Sequence, residues 1–303
     1  MASTAIGRHV QFRHIAFLTD LESGSEVPLH YAAALAQWYG ARLVLAHAYE
    51  PEPPLIVPPE PVPDWTGGPT PRQQAEEKGR SLVSGLQATE REMVEGVVLT
   101  VPNVANLLHD LEARHPDLLV VATHARHGLR KLLSGSVTEE VFRRSPWPVL
   151  VLPPAHLDEQ HAPHFHRVLY ATDLSQVSAT ALLYAAGIAE DHGAEFVALY
   201  VDSQSSSGFS FDRIIDLKKL EDWLHEHRHD LTGALQASEK IVRFGEPATE
   251  ITAAARELEA DLIVIGARGA GALSSFASHL IGGTAYGVAC SASCPVMIVP
   301  YQA

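Results

Sequence analysis

The feature that most constrains this chain is an internal repeat. Arg13 to Leu21 (RHIAFLTDL) reappears as Arg167 to Leu174 (RVLYATDL), with Thr-Asp-Leu in register at an offset of 153. Ser145 to Pro153 (SPWPVLVLP) reappears as Ser293 to Pro300 (SCPVMIVP), with the closing strands at an offset of 147. Gly135-Ser136 matches Gly282-Gly283 at that same 147. Offsets that drift by only a loop length indicate duplication of a whole domain. The 303 residues allow two domains of roughly 150 residues each. The reading therefore places domains at 1–154 and 166–303, joined through the polar, His- and Pro-containing stretch Pro154 to His166.

Within each half, short apolar runs alternate with helical periods. The runs Ile15–Leu18, Leu43–Ala46, Leu118–Val121 and Val149–Leu152 are followed by Val168–Tyr170, Phe196–Val201, Leu262–Ile265 and Val296–Val299. They are apolar on both faces, as buried parallel strands must be. Val104, Leu107, Leu108 and Leu111 fall at i, i+3, i+4, i+7, as do Ile251, Ala254, Ala255 and Leu258. His30 to Tyr39 and Thr180 to Glu190 are alanine-rich helix formers, closed by Gly40 and Gly193. This alternation predicts an α/β fold with a mostly parallel sheet and helices on both faces. Pro51 to Pro71 holds nine of the 20 prolines and reads as an extended surface flap. The serine-rich Ser203 to Ser210 stands at the same place in the second half.

Charge and cysteine content limit the partners. Twenty-two Lys+Arg against 36 Asp+Glu gives a net charge of −14, which repels phosphate backbones and anionic lipid. No nucleic-acid or membrane partner is expected. No apolar run approaches the roughly 20 residues of a bilayer span, and residues 1–10 lack a signal-peptide pattern. Two cysteines, Cys290 and Cys294, form no disulfide framework, and the balance points to a cytoplasmic protein. Any nucleotide must be held by backbone donors or a helix terminus.

Such donors are present in pattern. Ala122-Thr123-His124-Ala125 follows the fourth run, and nine residues later comes Gly135-Ser136-Val137. In the second half, Gly266-Ala267-Arg268-Gly269 is followed after twelve residues by Gly282-Gly283-Thr284. Loops leaving the carboxyl ends of parallel strands bind ligands in open α/β sheets. Glycines let amides face an anion, and Gly135-Ser136 would open a helix over Val137–Arg144 whose N-terminus can hold phosphate. Asp20 and Asp173 end the first strand of each half at the same edge, where a carboxylate can accept from a ribose hydroxyl.

These motifs resemble the universal stress protein family in its tandem two-domain form. The resemblance covers nearly the whole chain. It implies flavodoxin-like, Rossmann-like domains, each a five-stranded sheet of order 3-2-1-4-5. It also implies pairing of the two last strands, so that the chain imitates a homodimer. The family contains ATP binders and members that bind no nucleotide. By motif position, an ATP site with Mg2+ would use Asp20, Ala48 (after His47), Ala122, His124, Ala125, Gly135, Ser136 and Val137 in the first half. In the second it would use Asp173, Val201, Gly266, Arg268, Gly269, Gly282, Gly283 and Thr284. Both halves depart from the glycine pattern. Ala122 and Ala125 add methyls, at a cost if their φ is positive. The second half keeps its glycines but inserts three residues and lacks the serine. The first half is the better candidate on this reasoning.

Plainer readings stand beside these. Asp20 and Asp173 could cap the following helices. Gly266 and Gly269 could serve a tight turn, and Ser136 a helix cap. His225 and His229, at i, i+4, and the linker histidines His161, His164 and His166 have no third-ligand spacing that would build a metal site. Cys290 and Cys294, placed near the end of the last helix, read as small packing groups. Trp147 reads as packing beside the final strand. No nucleophile–base pair, acidic metal run or Walker lysine is present, so the chain is not read as an enzyme, slow ATP hydrolysis apart. The leading expectation is a cytoplasmic stress-response protein that binds ATP as a sensing ligand. The alternative is a nucleotide-free interaction scaffold, with further homodimerisation open to either.

Overall fold

The structure, a computed structural model, describes residues 10–22, 24–48, 69–100, 104–122, 141, 144–153, 164–203, 210–227, 238–267 and 283–300. The chain divides into two compact units, Phe12–Val120 and Met1–Gln11 with Val121–Ala303.

In the first unit the elements are β1 (His14–Leu18), α1 (Glu26–Tyr39), β2 (Arg42–Ala48), α2 (Pro71–Gly85), α3 (Ala88–Arg91), β3 (Val94–Thr100), α4 (Val104–Glu112) and β4 (Leu118–Ala122), whose last two residues pass into the second unit. The sheet order is β3-β2-β1-β4. Strands β1 and β2 run parallel with Phe17 opposite Leu45, and β2 pairs parallel with β3. Residues 15–18 and 43–46 are all buried, because helices cover both faces of a parallel sheet.

The second unit contains β5 (Val149–Leu152), β6 (Arg167–Thr172), α5 (Gln176–His192), β7 (Glu195–Asp202), α6 (Ser210–Glu226), β8 (Glu239–Phe244), α7 (Pro247–Glu257), β9 (Leu262–Gly266), α8 (Gly283–Ser291) and β10 (Val296–Val299). Its sheet order is β5-β10-β9-β6-β7-β8. In the repeat's own count β8-β7-β6-β9-β10 is 3-2-1-4-5, the expected order. β10 is parallel to β9 and antiparallel to β5, with Met297 opposite Leu150. The expected pairing of the two last strands is therefore present. It also explains why the compact units part inside β4: the last strand of the first repeat packs with the second.

Local chemistry accounts for the helix ends. Gly40 and Gly193 close α1 and α5 in the left-handed region, at φ 66° and 64°. A side chain there would be strained, which is why both helices stop on glycine. Pro71, the last residue of the expected flap, instead starts α2. Thr70 accepts from the amide of Gln73 at 3.2 Å, and Gln73 accepts from that of Thr70 at 2.8 Å. This capping box suits a proline at the first helical position, where no amide proton is needed. The flap's residues 51–68 lie outside the described residues, and so do 204–209 of the serine-rich loop.

Two strands have no counterpart among the apolar runs, β3 and β8. β8 (EKIVRF) is an edge strand, mostly half-buried, and its charged residues Glu239, Lys240 and Arg243 break the apolar signature. β3 carries Glu95 and, at φ 156°, Gly96 beside a register shift.

Two further placements differ from expectation. Cys294 lies beyond α8, in the turn before β10, and Leu258 follows α7 as its C-cap. Both cysteines are free thiols. Burial pushes Cys290 up to about 11 and Cys294 up to about 12. The thiolate is the nucleophile, so both should be alkylated at pH 8 on the order of 100-fold more slowly in the native protein than after denaturation. Timed iodoacetamide labelling read by intact mass checks this; equal rates would contradict the burial.

Candidate functional site

The site is built from the turn that leaves the first strand of each repeat. In the first, Thr19 Oγ1 accepts from the Leu21 amide at 3.0 Å, and Asp20 Oδ1 accepts from the Glu22 amide at 3.0 Å. In the second, Thr172 Oγ1 accepts from the Leu174 amide at 3.0 Å, and Asp173 Oδ1 accepts from the Ser175 amide at 3.1 Å. Each is a hydroxyl turn overlapping an aspartate turn. Between them Leu21 and Leu174 sit at φ 59° and 60°. A leucine held left-handed stores strain, and such strain gathers at functional sites. Neither leucine was singled out by sequence, although Thr-Asp-Leu is identical in the two repeats.

The helix-cap reading of the aspartates changes in detail. The N-caps are Ser25 and Ser175, not Asp20 and Asp173. Each aspartate instead binds its serine: Ser25 Oγ donates to Asp20 Oδ1 at 3.2 Å, and Ser175 Oγ to Asp173 Oδ1 at 2.5 Å. Both aspartates remain exposed at the carboxyl rim. Below Asp173 a polar chain runs inward. Thr172 and Ser178 hydroxyls meet at 2.9 Å, and the buried Tyr170 hydroxyl donates to the Ser178 carbonyl at 2.8 Å.

The second strand ends on the same rim. In the first repeat, His47 Nδ1 lies 2.8 Å from the Thr19 carbonyl, which ties the β2 end to the β1 turn beside Ala48. The second repeat has Tyr200 at that place, beside Val201. Burial pushes its phenol up, and Asp202, Asp216 and Asp173 push the same way against Lys219. Asp216 stands on the core-facing stripe of α6 with Leu220, Trp223 and Leu224. One of its oxygens is 2.6 Å from Lys219 Nζ; the other has no hydrogen-bond partner among the described residues. Sequence reasoning missed this acidic group, because α6 carries many charged residues and its sequence does not set Asp216 apart from exposed ones such as Lys218 and Asp222.

The fourth strand and the helix after it complete the second repeat's rim. β9 pairs parallel with β6 and ends at Gly266. The chain then returns through α8 to the parallel strand β10, so the N-terminus of α8 lies on the carboxyl side of the sheet. Gly283 and Thr284 open that helix. Gly283 is not left-handed, and a Cβ built on it meets no described atom within 4 Å. Neither its backbone nor its packing against the described residues demands glycine there. In the first repeat Ala122 closes β4 as a strand residue without positive φ. The cost expected of an alanine there does not arise. His124, Ala125, Gly135, Ser136 and Val137 lie outside the described residues, as do Arg268, Gly269 and Gly282 and most of the helix expected over 137–144.

On the opposite, amino rim a second pair was also missed. Asp117 Oδ2 accepts from the amides of Arg13 and His14 at 2.6 and 2.9 Å. Asp261 Oδ2 accepts from those of His166 and Arg167 at 2.6 and 2.8 Å. Each charge-assisted pair fixes the start of the first strand to the fourth.

The remaining polar clusters do not assemble a metal site. No group of three His, Cys, Asp or Glu among the described residues could hold a metal ion. α6 ends at Glu226, so His225 is helical while His229 lies outside the described residues, and the pair does not share a described helix face. No described helix is long and apolar enough to cross a membrane. Trp147 is half-buried, its amide and carbonyl both bonded to the Ser145 hydroxyl.

The profile of the Universal stress protein family matches residues 11–153 and again 164–300. The chain belongs to the universal stress protein family. A universal stress protein of Mycolicibacterium smegmatis is 26% identical over 306 aligned residues, which span 92% of this chain and 94% of the relative. The universal stress protein YxiE of Bacillus subtilis is 30% identical over 151 residues, 45% of this chain and 99% of the relative. A whole relative thus fits within one half of this universal stress protein, as a tandem repeat requires. The crystal structure of a universal stress protein from Archaeoglobus fulgidus superposes with a TM-score of 0.65 at 20% identity, covering 95% of this chain and 96% of that one. That likeness concerns the fold.

Proposed function

We propose that this universal stress protein binds ATP, with Mg2+, as a regulatory ligand at the carboxyl rim of its repeats, taken as domains 1–154 and 166–303. It acts in the cytoplasm and is not an enzyme in its main role. Asp20 and Asp173 receive ribose hydroxyls, while Ala48 and Val201 stand by the base. The Ala122 and Gly266 loops, with His124, Ala125, Arg268 and Gly269, carry the phosphates to the helix openings. Those openings are Gly135-Ser136-Val137 and Gly282-Gly283-Thr284.

The observation that carries this reading is Gly283. A glycine that neither φ nor any described neighbour requires, exposed at the N-terminus of a nine-residue helix on the ligand-binding rim, suits first-turn amides and a helix dipole that receive an anion. The twin strained Thr-Asp-Leu turns add a pre-set carboxylate beside each first strand.

A second reading, a nucleotide-free interaction scaffold, draws on Tyr200. Asp173, Asp202 and Asp216 around it, with Lys219 as the cation acting against them, oppose a polyphosphate in the second repeat. Titration of the purified full chain with Mg-ATP in a calorimeter, with native mass spectrometry, separates the two. The first reading expects at least one equivalent bound and a higher Tm with ligand. No heat, no bound mass and no thermal shift at millimolar Mg-ATP would leave the scaffold reading.

A further inference from the structure

The segment that enters the second repeat is held by a histidine that must stay neutral to hold it. The Phe165 amide donates to Nδ1 of His192, at 3.4 Å, and the Phe165 ring lies 4.8 Å from the same imidazole. His192 is 6% exposed, in the last turn of α5. A nitrogen that accepts a hydrogen bond carries no proton, so this contact exists only with the proton of a neutral ring on Nε2. Two more imidazoles adjoin it. His164 and His166 stack at 4.8 Å with their planes 5° apart, and His164 meets His192 at 5.7 Å. Three imidazoles are gathered at one corner.

We infer that His192 is an acid-sensitive latch: protonation of its Nδ1 releases Phe165 and loosens the chain where the two repeats join. Protonation removes the acceptor, converts it to a competing donor, and places a buried cation against the His164 ring. Of the described carboxylates near the corner, Asp191 and Asp261 already accept from backbone amides. Asp191 Oδ2 accepts from the Val10 amide at 3.0 Å, and Asp261 Oδ2 from the amides of His166 and Arg167. Glu195 pairs with the Arg167 guanidinium at 2.6 Å, and Glu190 lies on α5 itself. α5 packs against β6, β7, β9 and β10; the last two bring no charged side chain. Because Asp261 grips His166 and Arg167, release at Phe165 makes His166 the hinge. The inference does not depend on nucleotide binding.

Hydrogen exchange of the full chain tests it. After correction for intrinsic rates, protection of the Phe165 amide should fall at least 10-fold from pH 7.5 to pH 5.5, while that of the Arg167 amide holds. 15N-histidine spectra at pH 7.5 should show His192 as the Nε2–H tautomer. His192→Asn keeps an acceptor near Nδ1 that does not titrate, so Phe165 protection should become independent of pH. Unchanged protection in the wild type overturns the latch. So does an equal fall in His192→Asn, or a fall abolished by His164→Asn with His166→Asn while His192 still titrates. Should His192→Asn not fold, the wild-type spectra decide: an Nδ1–H tautomer at pH 7.5 overturns the proposal.

Discussion

Gly283→Asp should abolish the nucleotide binding proposed for the second repeat and leave the fold intact. The Cβ meets no described atom within 4 Å, and a carboxylate in the first turn of α8 interacts favourably with the helix dipole. Stability should therefore be unchanged or higher by about 0.3–1 kcal/mol. A phosphate brought to the same amides meets a negative charge and a side chain where there was open space. Affinity at that repeat should fall at least about 100-fold, a loss of about 2.7 kcal/mol. Gly135→Asp is the matching change in the first repeat. Calorimetry on the two variants and their combination assigns each bound equivalent to its repeat. If both variants bind Mg-ATP like the wild type, the helix openings do not hold the phosphates. Gly283→Ala is the control: the fold tolerates it, and a loss of affinity without a loss of Tm marks the amides as a ligand contact.

Gly287→Val destabilises the second repeat by about 3 kcal/mol. Here the glycine is required by space. A Cβ at Gly287 would stand 2.8 Å from the Ala248 Cβ of α7, closer than real Cβ atoms approach. α7 and α8 must separate to admit even one methyl, and a branched side chain adds two more carbons at a tight, half-buried helix contact. With roughly 2–4 °C per kcal/mol, Tm should drop by about 6–12 °C in a circular-dichroism melt. Gly287→Ala should cost less, since alanine recovers about 1 kcal/mol of helix propensity. Ala248→Gly should restore part of that loss, so the double-mutant cycle should show coupling. A Gly287→Val protein that melts with the wild type would mean the helices do not meet there.

These two glycines show how much of the site could be read beforehand. Gly283 stood out because it belongs to a spaced motif repeated in both halves. Gly287 did not, because a glycine inside a helix looks like a weak helix former until its neighbour is known. The same contrast runs through the fold. Buried strands such as Leu118–Ala122 and Leu262–Gly266 announce themselves by unbroken apolar runs, and Gly40 and Gly193 mark helix ends by their own chemistry. Edge strands such as β8 do not, since charged residues interrupt the apolar run. Asp117 and Asp261 were not singled out by sequence; the available signal was that each immediately precedes the fourth strand of its repeat. Asp20 and Asp173 were legible as rim carboxylates but not as the clasps of Ser25 and Ser175, because that role depends on the left-handed Leu21 and Leu174.

The antiparallel meeting of Val149–Leu152 with Val296–Val299 sets a limit on dissecting the molecule. A chain cut at the junction would not yield a finished second half. Its outermost strand, Val-Met-Ile-Val, would lose the ladder that now covers it and present open amides and carbonyls on an apolar ribbon. Such a fragment would recruit a substitute, most simply another fragment of its own kind. Tandem duplication thus supplies in cis the neighbour that a separate half would have to find by collision.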